Sequence, residues 1–210
     1  MYKNIIFDAD GTLLDTLPGI CEGFNYVMDQ LGLKRLSEQA VKPFMGPSLM
    51  ETFTQKLKFS LDQAEIAVRH YRDFYWEKGF RMCEFYQGVP ELLNRLKSDG
   101  KLLSVATNKP QVFIDMILKE KGYYDCFTVI AGADVSETST DKTQLVQRAT
   151  LSQSAVMVGD RYVDITAANN AGVDSIGVLW GAAEDGEFIQ YPPTHIAKTP
   201  DDVYLIVNRK

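Results

Sequence analysis

The sequence of 210 residues is poor in cysteine and histidine, with three and two copies respectively. The cysteines (Cys21, Cys83 and Cys126) are odd in number and widely spaced, so we expect reduced thiols, and no metal-ligand spacing is visible among them. The apolar runs are far shorter than the roughly 20 residues that a membrane-spanning helix needs. An acidic residue already stands at position 8, which is not typical of a signal peptide. We therefore expect a cytoplasmic protein without a membrane segment.

Basic residues are also in the minority, with 22 Lys and Arg against 28 Asp and Glu and a net charge of −6. No strongly basic stretch is present that could displace counterions from a nucleic-acid backbone, so we expect no nucleic-acid partner. The hydrophobic fraction of 45% and the charged fraction of 24% are typical of a soluble globular protein. This composition excludes intrinsic disorder, and the length suits one large domain or a core with a small accessory domain.

Short apolar runs recur along the chain, and helical patterning lies between most of them. The runs cover residues 5–7, 102–105, 128–131, 155–158 and 175–179, with a weak sixth at 196–197. Apolar residues on consecutive rather than alternating positions indicate strands buried on both faces, as in a parallel sheet covered by helices. Residues 90–97, 110–121 and a segment from about Asp141 have helical spacing. This alternation predicts an α/β fold with a doubly wound, mostly parallel sheet.

Residues 16–80 break the alternation, because they show helical patterning and no convincing strand. One predicted helix ends at Gly32, and another covers residues 61–76 with Ile66, Val68 and Tyr71 facing inward. The segment is neutral, with eight basic and eight acidic residues. We therefore predict an α/β core made of residues 1–15 and 81–210, with a small all-helical domain of residues 16–80 inserted after the first strand.

The sharpest motif is Asp-Ala-Asp-Gly-Thr-Leu at residues 8–13, directly after the first predicted strand. Ligands of open α/β sheets bind beyond the carboxyl ends of the strands, so Asp8 and Asp10 emerge where ligands bind. Gly11 permits a tight turn that brings both carboxylates toward one point. The alternative is an ordinary polar turn that closes a strand.

A second acidic pair, Asp160 and Asp164, follows the predicted strand 155–158 in the same relative position. On a helix these two residues would share a face, where like charges repel. Two acidic pairs that lie close together need a cation, and carboxylate oxygens with few His or Cys nearby suit Mg²⁺ rather than zinc. For Asp164 the alternative is a carboxylate placed at a helix N-terminus by the helix dipole.

Two further segments offer donors for an anion. Residues 107–110 (Thr-Asn-Lys-Pro) follow the predicted strand 102–106, and Pro110 suits the first turn of a helix. This arrangement would aim the Thr107 hydroxyl and free backbone N–H groups at an anion. Taken by itself, however, the motif is better explained by a plain helix cap. Lys142 begins the predicted helix that precedes the strand 155–158. A single lysine is a candidate site residue only in combination with the other motifs.

Taken in order, these motifs resemble the haloacid dehalogenase-like superfamily of phosphotransferases, most closely its phosphoglycolate phosphatase-like group. The matching motifs are a strand followed by D-x-D-G-T, then T-N-K, then a lone lysine, then G-D-x-x-x-D. The segments 44–47, 88–90 and 177–181 are also similar to that group. The resemblance implies a Rossmann-like core, with the 16–80 insertion as the helical cap of the superfamily. Arg161 and Thr143 depart from the family pattern, where Ser and Pro respectively are common.

The resemblance also implies roles for the acidic residues. Asp8 would be the nucleophile that forms an aspartyl-phosphate, and Asp10 would protonate the leaving group and then deprotonate water. Mg²⁺ would be held by the carboxylate of Asp8, the backbone carbonyl of Asp10 and the carboxylate of Asp160, with Asp164 in support.

The same resemblance assigns Thr107 and Lys142 to the oxygens of the transferring phosphoryl group, with Asn108 as a weaker candidate. A phosphate carries a charge of about −2, so it cannot approach several carboxylates unless cations offset them. Mg²⁺ and Lys142 together would supply that positive charge, which is how phosphoryl transfer is usually catalysed.

The leading interpretation is a Mg²⁺-dependent phosphatase that acts on a small phosphorylated metabolite, with phosphoglycolate as one candidate. The alternatives on the same scaffold are a phosphomutase of the β-phosphoglucomutase type and a nucleotidase or pyrophosphatase. A response-regulator receiver also combines Asp, Thr, Lys and Mg²⁺, but its phosphorylated aspartate follows a middle strand and it lacks a long helical insertion. A non-catalytic phospholigand-binding relative is a further alternative, and the sequence leaves the substrate and the oligomeric state open.

Overall fold

The computed structural model of the chain describes residues 1–45, 48–134 and 141–209. The chain divides into two compact units: Met1–Asp15 with Phe85–Lys210, here the core unit, and Thr16–Glu84, here the helical unit. Gly46 and Pro47, which belong to a segment that resembles the phosphatase group, lie outside the described residues. That the inserted residues 16–80 act as a cap stays a prediction.

A six-stranded sheet organises the core unit, and every neighbouring pair of its strands is parallel. The strands of the chain are β1 (Asn4–Phe7), β2 (Leu14–Asp15), β3 (Glu84–Phe85), β4 (Leu102–Pro110), β5 (Val129–Ala133), β6 (Ala155–Gly159), β7 (Asp174–Val178) and β8 (His195–Ala197). The order in the large sheet is β5-β4-β1-β6-β7-β8, while β2 and β3 form a separate two-stranded sheet. Because β1 lies inside the sheet and the chain winds outward from it in both directions, the predicted doubly wound α/β fold is confirmed.

Helices connect the strands and make up most of the helical unit. They are α1 (Leu17–Gln30), α2 (Glu38–Val41), α3 (Leu49–Glu51), α4 (Leu61–Glu77), α5 (Val89–Ser98), α6 (Gln111–Glu120), α7 (Lys142–Ala149), α8 (Tyr162–Ala171), α9 (Glu187–Gln190) and α10 (Pro200–Asn208). Short 3₁₀ helices cover Lys42–Phe44, Gly79–Arg81 and Tyr124–Cys126, and a π-helical turn covers Thr52–Lys56. In the described part of the chain, no helix is both long enough and apolar enough to cross a lipid bilayer.

Both faces of the large sheet are buried, as the consecutive apolar runs predicted. Ile6 of β1 packs in a cluster with Met157 of β6 and with residues of α7 and α8, including Leu145 and Ala168. Neighbours of Ile6 along β1 point to the opposite face, and Phe7 on that face is 1% exposed. The three cysteines are free thiols, as expected.

The helical unit has an aromatic core between α1 and α4. The ring of Phe24 lies 5.1 Å from that of Tyr71 and 5.3 Å from that of Phe53. Val68 and Tyr71 face this core, but Ile66 is 38% exposed, so its predicted inward position is wrong. At 100° per residue, Ile66 lies on the side of α4 opposite to Tyr71 and to the buried Ala64.

Candidate active site

The carboxyl ends of β1 and β6 bring the two predicted acidic motifs together. Asp8 follows β1 directly, and its backbone N–H donates a 2.9 Å hydrogen bond to the carbonyl of Val158 in β6. Asp160 follows β6, and both carboxylates are buried. Because the strands are parallel neighbours, their ends meet at one edge of the sheet. Carboxylate oxygens of Asp8, Asp160 and Asp164 all lie within 4.8 Å of one another, and these three residues are here the acidic cluster.

Lys142 contributes a buried positive charge to the acidic cluster. Its Nζ lies 2.8 Å from Oδ1 of Asp8 and 2.5 Å from Oδ1 of Asp164. The side chain of Asp141 accepts a hydrogen bond from the backbone of Thr143 and so caps α7, which places Lys142 at the first position of that helix. The structure therefore joins Lys142 to the acidic pairs, although 134 positions separate it from Asp8 in the sequence.

Asp160 is held by donors from two other segments of the core unit. The hydroxyl of Thr12 donates to Oδ1 at 3.1 Å, and the backbone N–H of Ala182 donates to Oδ2 at 2.7 Å. Gly11 has a φ of +84°, and a Cβ at Gly11 or at Gly181 would collide with the Asp160 carboxylate. These glycines thus allow the backbone to approach Asp160 closely.

Asp164 lies in the first turn of α8, where both of its oxygens have partners. Oδ2 accepts a 3.0 Å hydrogen bond from the backbone N–H of Arg161, while Oδ1 is paired with Lys142. Asp164 therefore stabilises the start of α8, as the alternative interpretation predicted, and it forms an ion pair with Lys142. That it supports a bound metal stays a prediction.

Burial and mutual repulsion dominate the electrostatics of the acidic cluster. Burial raises the pKa of Asp8 to about 7, since the attraction of Lys142 offsets it only in part and Asp164 adds to it. Burial likewise raises the pKa of Asp160 to about 7, with further increases from Asp164 and Asp8. For Lys142, burial lowers the pKa, but Asp164 and Asp8 outweigh it and the pKa is raised overall. Lys142 is therefore protonated at neutral pH.

The acidic cluster fits a divalent metal ion. With all groups ionised, three carboxylates and the one ammonium of Lys142 leave two negative charges in a buried space, which a divalent cation would balance. Opposite ligands of an octahedral Mg²⁺ lie about 4 Å apart, and the separation of at most 4.8 Å between the cluster oxygens accommodates this. Purely oxygen donors suit hard cations rather than zinc.

The carboxylate of Asp10 is not part of the acidic cluster. Its oxygens lie 3.0 and 3.3 Å from Nζ of Lys109, whose side chain is 3% exposed while that of Asp10 is 28% exposed. Sequence reasoning missed Lys109 as a site residue, because a lysine near the end of a strand is usually solvated. Its place in the T-N-K motif was the one available signal.

Thr107 and Asn108 differ in their surroundings. The buried hydroxyl of Thr107 accepts a 3.2 Å hydrogen bond from the backbone N–H of Lys109, and its own hydrogen can still be donated. Asn108 is exposed. The helix predicted to start at Pro110 is present as α6, but it begins one residue later, because Pro110 pairs with Ala133 of β5, stays extended and is the N-cap.

Comparisons with known proteins identify the family. The family described as haloacid dehalogenase-like hydrolase matches residues 5–178. A 5'-nucleotidase from Pseudomonas aeruginosa is 34% identical over 199 residues, or 92% of this chain and 90% of the relative. A phosphoglycolate phosphatase from Vibrio parahaemolyticus is 30% identical over 218 residues, or 98% and 96%. A crystal structure of a Clostridium difficile protein inferred to be a phosphatase is 34% identical over 98% of both chains, with a TM-score of 0.92.

The family match covers well over half of the chain, and each of these relatives is at least 30% identical over more than nine-tenths of it. The resemblance predicted from the four motifs is therefore confirmed. The chain belongs to the haloacid dehalogenase-like hydrolase family.

Proposed function

We propose that this protein is a Mg²⁺-dependent phosphatase that hydrolyses a small phosphomonoester through an aspartyl-phosphate on Asp8. The observation that carries the proposal is the buried acidic cluster with Lys142 at the carboxyl edge of the sheet. Such a site needs a divalent cation before it can accept a phosphate of charge about −2. Phosphatase-named relatives support the same activity.

The residues that would hold the metal are Asp8 and Asp160, with the backbone carbonyl of Asp10 as the third protein ligand. Asp164 would support them through its ion pair with Lys142 and its hydrogen bond to the backbone at the start of α8. Mg²⁺, when bound, would supply a Lewis acid that neutralises the phosphoryl oxygens.

The reaction has two steps that Asp8 and Asp10 divide between them. In the first, an oxygen of Asp8 bonds to phosphorus while the bond from phosphorus to the leaving oxygen breaks, and Asp10 gives that oxygen its proton. In the second, the Asp10 carboxylate takes a proton from a water whose oxygen attacks phosphorus. The bond to Asp8 then breaks, and inorganic phosphate leaves with both aspartates restored. Lys109 would hold the Asp10 carboxylate in place through its 3.0 Å contact.

Two side chains would bind the oxygens of the phosphoryl group. Lys142 already pairs with Asp8 and stays protonated, so its charge is available beside the nucleophile. The Thr107 hydroxyl has a hydrogen to donate, and the exposed Asn108 next to it is a weaker candidate. The positive charge and the donors stabilise a transition state in which charge spreads over these oxygens.

Phosphate release from a panel of metabolites, measured with Mg²⁺ and with EDTA, tests the activity. The panel holds phosphoglycolate, sugar phosphates, nucleoside monophosphates and pyrophosphate, because relatives of similar identity are named for different substrates. We expect stoichiometric phosphate from at least one phosphomonoester, with Mg²⁺ only. Conversion of a sugar phosphate to its isomer without phosphate release would instead indicate a mutase, and no turnover of any compound would refute the proposal.

The metal ligands are tested by a pair of substitutions read out by thermal unfolding. A metal that binds only the folded protein stabilises it by mass action, so Mg²⁺ should raise the melting temperature of the wild type. Asp160→Ala should remove both that increase and the turnover. Asp185→Ala, which removes an exposed carboxylate, should keep both. An undiminished Mg²⁺ effect in Asp160→Ala would place the metal elsewhere.

A further inference from the structure

Glu187 is a buried carboxylate that no step of the proposed reaction uses. Its side chain is 6% exposed, and it lies at the start of α9. Oε1 and Oε2 lie 3.1 and 3.2 Å from Nε of Arg161. The same carboxylate accepts hydrogen bonds from the backbone N–H groups of Tyr162 and Glu184. Glu187 therefore offsets its burial with one ion pair and two backbone donors.

Two of these partners belong to the segment that carries the metal-binding residues. Arg161 and Tyr162 lie between Asp160 and Asp164 in the sequence, and Tyr162 is the first residue of α8. The backbone N–H of Tyr162 is one of the helix-terminal donors that have no partner within the helix. Glu187 thus supplies a hydrogen-bond acceptor for the first backbone N–H of α8, although it lies in a distant part of the sequence.

The loop of residues 181–187 contacts this segment at both of its ends. At one end, the backbone N–H of Ala182 donates to Oδ2 of Asp160 at 2.7 Å. At the other end, Glu187 binds Arg161 and Tyr162. Glu184 closes the loop, because its backbone N–H donates to the Glu187 carboxylate at 3.0 Å. The loop therefore fixes the Asp160 carboxylate directly and the residues that follow it through Glu187.

Arg161 supplies the positive charge with which Glu187 pairs. The Arg161 side chain is largely buried, at 16% exposure, and its guanidinium pairs with Glu187. The ion pair joins the two loops that lie beyond the carboxyl ends of β6 and β7, and these strands are neighbours in the sheet. A charged pair at this place restrains the segment between Asp160 and Asp164.

We infer that Glu187 is a positioning residue for the metal site: through Arg161 and Tyr162 it holds Asp160 and Asp164 in the arrangement that binds a divalent cation. The inference rests on the proposed function, in which Asp160 binds the metal and Asp164 supports it. Groups that orient metal ligands typically contribute about 10- to 100-fold to metal affinity. The substitution Glu187→Gln keeps the size of the side chain but loses its charge, and it directs an NH₂ group toward N–H donors.

The test measures the Kd of Mg²⁺ alone, by calorimetric titration of the metal-free protein and by the Mg²⁺ dependence of the melting temperature. We expect Glu187→Gln to weaken Mg²⁺ binding by about 10-fold or more. The matched control is Glu184→Gln, because Glu184 is 67% exposed and lies 3.8 Å from the Arg161 guanidinium. This control should bind Mg²⁺ within about 2-fold of the wild type, as expected of an exposed ion pair.

A purely structural role for Glu187 predicts a different pattern. It would lower the melting temperature in EDTA while leaving the Kd of Mg²⁺ unchanged in the folded variant, and that result would overturn the inference. If Glu187→Gln does not fold, Arg161→Met removes the other half of the ion pair and should weaken Mg²⁺ binding in the same direction. An unchanged Kd in Arg161→Met would then overturn the inference.

The wild type separates failure of this inference from failure of the proposed function. A wild type that binds Mg²⁺ but hydrolyses no phosphomonoester would refute the proposed function and leave the comparison of Kd values valid. A wild type to which Mg²⁺ does not bind would overturn the inference together with the metal role on which it rests.

Discussion

Replacing Lys142 with methionine removes the cation of the acidic cluster while it keeps the length of the side chain. The ammonium lies 2.8 Å from Asp8 and 2.5 Å from Asp164, and the lysine side chain is 7% exposed. The substitution therefore leaves two buried carboxylates without their shared partner. Removal of one member of a buried ion pair costs about 3–5 kcal/mol. We expect Lys142→Met to lose about that amount of unfolding free energy in EDTA at pH 8.

The loss should be smaller at lower pH and with metal. Burial raises the pKa of Asp8 to about 7 even with Lys142 present, so at pH 5.5 this carboxyl is protonated and no longer needs a partner. Mg²⁺ should likewise restore part of the stability at pH 8, because it replaces the missing positive charge. Protonation and metal binding thus relieve the same excess of negative charge.

Urea denaturation with linear extrapolation gives the unfolding free energies. The chain has two tryptophans, and Trp76, in the helical unit, is 56% exposed. In a Trp76→Phe background the fluorescence of Trp180 reports on the core unit alone. The control Lys3→Met removes the same charge from an exposed position and should change stability by no more than about 0.5 kcal/mol. A loss in Lys142→Met below about 1 kcal/mol at pH 8 in EDTA, or one equal at pH 5.5 and pH 8, would refute the electrostatic reasoning.

Four further outcomes are expected. Asp8→Asn should release no phosphate, because the amide cannot attack phosphorus, and measurable turnover would contradict the nucleophilic role. The variant should melt no lower than the wild type in EDTA at pH 8, because the substitution removes one of the buried negative charges. Asp10→Asn should slow hydrolysis of alkyl phosphates by about 10²–10⁴-fold and show a burst with p-nitrophenyl phosphate; equal losses on both substrates without a burst would assign proton transfer to another residue. Burial raises the pKa values of Asp8 and Asp160 to about 7, above their values in the unfolded chain. The protonated carboxyls therefore stabilise the folded protein fully below about pH 4, and this contribution to the unfolding free energy is lost as the pH rises through 7. The melting temperature in EDTA should therefore fall between pH 5 and pH 8, and a flat profile would count against these shifts. Gly11→Ala should abolish the Mg²⁺-dependent rise in melting temperature, because its Cβ would displace Asp160, whereas Gly100→Ala, also at a positive φ but with nothing within 4 Å, should keep it.

Much of the fold could be predicted from the sequence, because burial on both faces of a parallel sheet leaves a local signature. Consecutive apolar residues such as Ile5 and Ile6 cannot alternate between core and solvent, so they indicate a covered sheet. Motifs directly after such runs are placed at the carboxyl edge by topology alone. Asp8 and Asp160 were assignable to one site for this reason. The sequence constrains less strongly which side of a surface helix faces the core. Ile66 was therefore predicted on the wrong side of its helix.

Only the tertiary structure decided which charged groups pair. Lys109 and Asp10 are 99 positions apart, and Lys142 and Asp8 are 134 apart. The ion pair of Glu187 with Arg161 likewise joins loops that follow different strands. A lysine or a glutamate in a sequence looks the same whether it is solvated or buried, because its burial depends on distant segments that fold around it. The sequence determined which residues reach the edge of the sheet, whereas the folded chain determined which of them share a buried, low-dielectric space in which their charges interact strongly.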